Sequence, residues 1–340
     1  MQKLIDEVKK AKEKINGLRK DDSVVFLSFT DFHSPSAECE QMDKLCSTLK
    51  LITDEIPCDM AVNLGDNTGM LGRSQHISNE SLKVLLKNMF DRMYDSVNCP
   101  MWFVNGNHDA IGTDFFKPCF WNDIVKNKYG NENAVYDDTG SYYYVDVPKA
   151  KTRFVVLSVP SESDLDAKNP TPVWAFGEKQ IEWMKNVAFN VSGNVIILMH
   201  VPFFYRYVGD ETAMLEVWNG EKTAMSTISD LSGRIEDIDK AVEIIESFTE
   251  KPDANLVACF SGHTHEDLLC NPHEKWVYND AEYENPLPCK QVVTVGATIP
   301  QKYHEEFGIS IDVTVWTPSE NKLNVIRVGD GEDRKIIDFK

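Results

Sequence analysis

Five short polar blocks punctuate this chain, each at the end of an apolar run of strand length or in the turn after it. They are Asp31-Phe32-His33, Gly65-Asp66-Asn67, Gly106-Asn107-His108-Asp109, Met199-His200 and Gly262-His263-Thr264-His265. The runs that precede them are 23–30, 60–64, 101–105, 194–199 and 255–261, and further strands are expected at 141–147, 153–159, 291–295, 309–316 and 323–328. Apolar residues recur with the helical period over 37–56, 81–97, 177–187 and 234–248. Alternating strands and helices in the first half, followed by a strand-rich second half, predict an α/β protein. Its expected architecture is two mixed sheets packed face to face between helices. In such sheets, side chains leaving several strand C-termini converge, so the five blocks are expected to meet in one place.

The N-terminus adds one element. Met1, Leu4, Ile5, Val8, Ala11, Ile15 and Leu18 fall at helical spacing, with Lys and Glu between them. Residues 1–22 therefore read as an amphipathic helix docked on a single catalytic domain spanning 23–340. Two stretches without periodicity, 110–129 and 202–233, each follow a polar block and are expected to be functional loops. No internal repeat divides the chain.

Charge and cysteine usage narrow the partners. The formal net charge is −19, spread along the chain, which repels extended nucleic acid. The eight cysteines contain no C-x-x-C pair and form neither a disulfide framework nor a thiolate metal site. Residues 1–22 lack the unbroken apolar stretch of a signal peptide, and no segment approaches a membrane span of ~18 apolar residues. These features predict a soluble, cytoplasmic protein with reduced cysteines, and leave its oligomeric state open.

The residue types in the blocks suit metals. Asp31 and His33, like His263 and His265, are two residues apart, which in extended backbone would place each pair on one side. Gly65 and Gly106 would let the chain turn tightly where a side chain would crowd the ions. Imidazole, carboxylate and amide oxygen together favour Mn, Fe or Zn over Mg or Ca. A lone Asp-x-His or Gly-Asp is usually a turn or a cap. Here, however, five of the eight histidines fall within the blocks. His76, His273 and His304 stand in polar, loop-like context.

With its order D-x-H, G-D, G-N-H-D, H, G-H-x-H, the chain resembles the calcineurin-like metallophosphoesterase superfamily, over Asp31 to His265. That resemblance implies a four-layer α/β/β/α sandwich and two divalent metal ions. Asp31, His33 and His265 would hold the first ion and Asn107, His200 and His263 the second, with Asp66 bridging both. His108 would be the catalytic histidine beside the scissile phosphate, and the adjacent Asp109 is the candidate to orient it. After Gly65-Asp66 the chain lacks the further Asp and Arg of the protein phosphatases. It has Gly69 where purple acid phosphatases carry a ligand tyrosine, and its compact D-x-H form is closer to the phosphodiesterase branch. The segment 326–334 (IRVGDGEDR) is similar to C-terminal segments of some bacterial and phage-borne members, and by itself reads as a last strand plus turn.

The expected activity is hydrolysis of small phosphate esters, more readily diesters, by a hydroxide shared between the two ions. His108 would protonate or stabilise the leaving group. Tyr205, Arg206 and Tyr207, just after His200, are candidates to clamp the phosphate and stack on a ring; Trp218 and the Phe115-Phe116 pair are further candidates. Rival readings are a nuclease, which the acidic surface disfavours, and a scaffold without catalysis, which the filled ligand positions disfavour.

Overall fold

In the computed structural model, described residues are 2–68, 79–106, 109, 133–137, 141–158, 176–207, 235–278, 281–297 and 307–338. In chain order the first half contains helix α1 (Gln2–Leu18), β1 (Val24–Phe29), α2 (Glu40–Glu55), β2 (Met60–Asn63), α3 (Asn79–Tyr94) and β3 (Met101–Phe103). Next come β4 (Ala134–Tyr136), β5 (Tyr143–Val147), β6 (Thr152–Val156), α4 (Gly177–Trp183), β7 (Gly193–Leu198), β8 (Tyr205–Tyr207), α5 (Ile235–Thr249) and β9 (Ala254–Ser261). Seven strands complete it: β10 (Leu268–Cys270), β11 (Lys275–Tyr278), β12 (Ala281–Glu284), β13 (Lys290–Val293), β14 (Ser310–Thr317), β15 (Lys322–Gly329) and β16 (Arg334–Asp338).

Two large mixed sheets form, as the alternation predicts. One has the order β16-β15-β14-β1-β2-β3 and the other β10-β13-β9-β7-β6-β5-β4. The strands that lead into the polar blocks are parallel neighbours: β1, β2 and β3 in the first sheet, β7 and β9 in the second. Their C-terminal ends therefore share one edge of each sheet.

Burial on both faces explains why β1 reads as the continuous run VVFLSF rather than an alternating strand. Val25, Leu27 and Phe29 pack under α1, α2 and α3, whereas Val24 and Phe26 meet Phe154, Leu198 and Phe260 of the other sheet. A third apolar cluster lies under α4 and α5 and includes Val195, Ile197 and Ile245. The layers are thus helix, sheet, sheet, helix.

α1 buries Leu4, Val8, Ala11 and Ile15, one stripe at helical spacing, against β15 and α2. Lys12 pairs with Glu55 of α2 at 2.8 Å on its flank. The short sheet β11-β12-β8 was not expected, and β8 falls within the stretch read as a loop. Its three- and four-residue strands, YRY, KWVY and AEYE, are too short and too charged for alternation to register. The seven cysteines among the described residues are free, and burial pushes the thiols of Cys58, Cys99 and Cys270 up to about 12. No helix among the described residues is long and apolar enough to cross a membrane.

Candidate metal centre

The first two blocks continue the β1–β2 ladder. The amides of Asp31, His33 and Ser34 donate to the carbonyls of Gly65, Asp66 and Asn67 at 2.9, 3.0 and 2.9 Å. The last two blocks continue β7–β9, with Gly262 N–H donating to His200 O at 2.9 Å. A bond from Ala297 N–H to Thr30 O at 2.8 Å ties the ends of the two sheets together.

The extended backbone expected for the D-x-H and H-x-H pairs is not what forms. Asp31, His33, Asp66, His263 and His265 all have left-handed φ, at 50°, 46°, 56°, 71° and 57°. Strand geometry ends before these residues, and the left-handed turns fold short side chains back toward a common point. Non-glycine residues rarely adopt this region, and when they do they cluster at functional sites held by their surroundings.

Glycine is required here by close approach. A Cβ on Gly106 would stand 2.1 Å from Asp66 N, and one on Gly262 would stand 1.9 Å from Thr30 Oγ1. What a side chain would crowd is therefore the ligand-bearing loops themselves.

Asp31, His33 and His265 form one cluster and Asp66, His200 and His263 a second, each with its potential donor atoms within 4.8 Å of one another. Asp66 reaches toward both, its Oδ2 lying 3.1 Å from His200 Nε2 and 3.6 Å from His33 Nε2. Asn107 and His108 lie outside the described residues, as do Phe115, Phe116 and Trp218.

Three observations show that these residues fit divalent ions. His33 Nε2 and His265 Nε2 face each other at 3.1 Å, the arrangement of two lone pairs aimed at one cation. Asp31 Oδ2 accepts from Thr30 Oγ1 and from His263 N–H, both at 2.8 Å, while its buried Oδ1 has no aligned donor. The outer nitrogens are also fixed. His200 Nδ1 stands 2.8 Å from Leu64 O and His33 Nδ1 3.2 Å from Thr68 O. A carbonyl can only accept, so each Nδ1 donates and each Nε2 faces inward, where a bound cation would take the place of its proton.

The electrostatics express the same demand for positive charge. Burial works against the charge of Asp31, yet the neighbouring His265 and His200 hold its carboxyl well below the usual range. Burial alone would depress His200, but Asp66 and Asp31 lift it to about 9. His263, buried and repelled by His200, falls to about 3.

Asp109 is fully buried and serves the Asp66 loop. Its Oδ2 accepts from Asp66 N–H at 2.9 Å and Asn67 Nδ2 at 3.0 Å, and its Oδ1 from Asn67 N–H at 2.8 Å. Asn67 also accepts from Asn63 Nδ2 through its own side-chain oxygen. Asn67 and Asn63 were not singled out from the sequence, although Asn67 stands within the second block. Asp109→Ala would strand these buried donors. It is expected to cost about 2–4 kcal/mol in urea unfolding, with Asp109→Asn costing less.

Of the aromatic segment after His200, Phe203 and Phe204 are buried in the core. The Tyr205 hydroxyl donates to the carboxylate of Asp239 on α5. The side chains of Arg206 and Tyr207 lie outside the described residues.

The model of the calcineurin-like phosphoesterase family matches residues 24–267, and the chain belongs to that family. It is a metal-dependent phosphoesterase. No curated protein matches it. Among solved structures it is similar to a dimetal phosphatase from Danio rerio, with 13% identity over 92% of this chain and 98% of that one and a TM-score of 0.58, a likeness of fold. It is also similar to a 5′-nucleotidase precursor from Thermus thermophilus, at 12% identity over 87% and 51% of the two chains, with a TM-score of 0.39.

Proposed function

We propose that this chain hydrolyses small phosphate esters, diesters in preference to monoesters, at a dinuclear centre. Asp31, His33 and His265 hold one ion in this reading, and Asn107, His200 and His263 the other. Asp66 spans both, and His108 gives a proton to the leaving oxygen. The observation that carries the reading is the position of Asp66 Oδ2, within 4 Å of a histidine nitrogen from each cluster.

Two divalent ions held there would supply a nucleophile at neutral pH by acidifying water, and would neutralise charge on the phosphate. The nitrogen and oxygen donor set suits Mn, Fe or Zn. The chain's own part is positioning. Thr30 and the His263 amide fix one oxygen of Asp31, Leu64 and Thr68 fix the imidazole tautomers, and Asp109 fixes the Asp66 turn.

Diester preference is supported by the compact D-x-H block Asp31-Phe32-His33, and the missing second Asp and Arg after Gly65-Asp66 speak against a phosphoprotein substrate. Small esters are favoured because the chain's net charge of −19 repels longer polyanions. Free thiols at the described cysteines support a reducing compartment, the cytoplasm. The test is the ratio of kcat/KM for bis(p-nitrophenyl) phosphate to that for p-nitrophenyl phosphate, with Mn²⁺-loaded protein. A ratio above one is expected. A ratio well below one would replace the diesterase by a monoesterase.

A further inference from the structure

A charged network lies beside the His263–His265 turn, outside the polar blocks. Arg327 on β15 and Asp312 on β14 are cross-strand partners. They share a face with Trp316, Leu323 and Val325, which pack in the core between the sheets. Arg327 Nε donates to Asp312 Oδ1 at 2.9 Å, Nη2 to Asp267 Oδ1 at 2.7 Å, and Nη1 to the Asp330 carbonyl at 2.9 Å. Only 2% of the Arg327 side chain is exposed, and none of Asp312. Burying a guanidinium is costly unless its donors are met, so the network is a built feature.

Its acceptors lead to the other sheet. Asp312 Oδ2 accepts from Thr294 Oγ1 at 2.8 Å, and Asp267 Oδ1 also accepts from Val295 N–H at 3.1 Å. Asp267 stands two residues beyond His265. The turn after β15 is shaped around the pair. Gly331 has φ +105°, and a Cβ there would meet Arg327 Nη1 at 2.6 Å and Asp267 Oδ2 at 3.1 Å. The amide of Arg327 donates to Asp333 Oδ1 at 3.0 Å, and Asp333 pairs with Lys14 of α1. The segment 326–334, to which the sequence assigned no role, is thereby joined to the metal-site turn.

We propose that Arg327 and Asp267 are positioning residues for metal binding. The hydrogen bonds that Asp267 accepts from Arg327 and from the Val295 amide anchor the turn that holds His263 and His265 in left-handed backbone, so β15, which lies beyond the segment matched by the family model, is part of the site. This rests on the reading that those histidines hold metal.

The test is Mn²⁺ binding to Asp267→Ala, Asp267→Asn and Arg327→Lys by calorimetry and electron paramagnetic resonance, alongside the melting temperature of each metal-free protein. In Asp267→Ala the dissociation constant of at least one ion should rise about 10–100-fold, and the signal of a coupled ion pair should weaken. Asp267→Asn keeps an oxygen facing Arg327 and Val295 and should recover affinity to within about threefold of wild type. Arg327→Lys offers a point charge where three acceptors diverge, and should weaken binding as the alanine does. Affinities of Asp267→Ala within about twofold of wild type would overturn the proposal, as would an equal loss in Asp267→Asn. Should Asp267→Ala fail to fold, Asp267→Asn against Arg327→Lys makes the same comparison. Wild-type protein that binds no pair of ions would instead sink the dinuclear reading, and this inference with it.

Discussion

Asp66→Asn is expected to lower kcat/KM for a phosphodiester by at least about 10³-fold while leaving the fold intact. Asp66 is 1% exposed, and its Oδ2 stands 3.1 Å from His200 Nε2 and 3.6 Å from His33 Nε2. It stands between the two clusters, nearer to His200 than Asp31, whose Oδ1 is 4.0 Å from the same nitrogen. An amide of the same shape lacks the charge to hold two cations side by side, so one site or both should empty. The fold should survive for two reasons. The bond from the backbone N–H at 66 to Asp109 does not involve the side chain. Asparagine also tolerates the left-handed φ of 56° at this position better than most residues. Melting of the metal-free proteins should therefore differ by less than about 1 kcal/mol. A variant that keeps a tenth of wild-type activity would show that Asp66 is not shared.

Gly106→Ala should be strongly damaging, because its added methyl meets backbone. Its Cβ would lie 2.1 Å from Asp66 N, 2.3 Å from Asp66 Oδ1 and 2.9 Å from Asp66 Cα. The loop cannot retreat, because Asp109 holds its amides and the Asp66 carbonyl accepts from His33 N–H. Overpacking against pinned backbone is expected to cost about 3 kcal/mol, read in urea unfolding. The displaced Asp66 should cost about 10²-fold in kcat/KM. Gly17→Ala supplies the contrast. Nothing lies within 4 Å of its would-be Cβ near the end of α1, so that change should be neutral or slightly stabilising. Equal effects at the two positions would contradict the steric argument.

The five blocks could be read because each follows an apolar run that the fold buries on both faces, as VVFLSF of β1 shows. The stripe Leu4, Val8, Ala11 and Ile15 likewise located α1. Backbone sign could not be read: Asp31 and His33 look like alternating strand residues, and only the structure reveals φ of 50° and 46°. The hold of Asp109 on the Asp66 loop could not be read because most of its partners are backbone amides, which every residue possesses. Arg327 and Asp267 lie 60 residues apart, and no local pattern announces a pair joined only through sheet topology.

The most direct test of the dinuclear centre is Mn²⁺ titration of chelator-stripped wild-type protein and of Asp66→Asn, followed by calorimetry and by diesterase activity. A dinuclear centre should take up two ions per wild-type chain, with activity appearing as the second ion binds, and fewer than two ions in the variant. A wild-type chain that binds one ion or none yet hydrolyses the diester, or an Asp66→Asn chain that binds two ions as tightly, would contradict it.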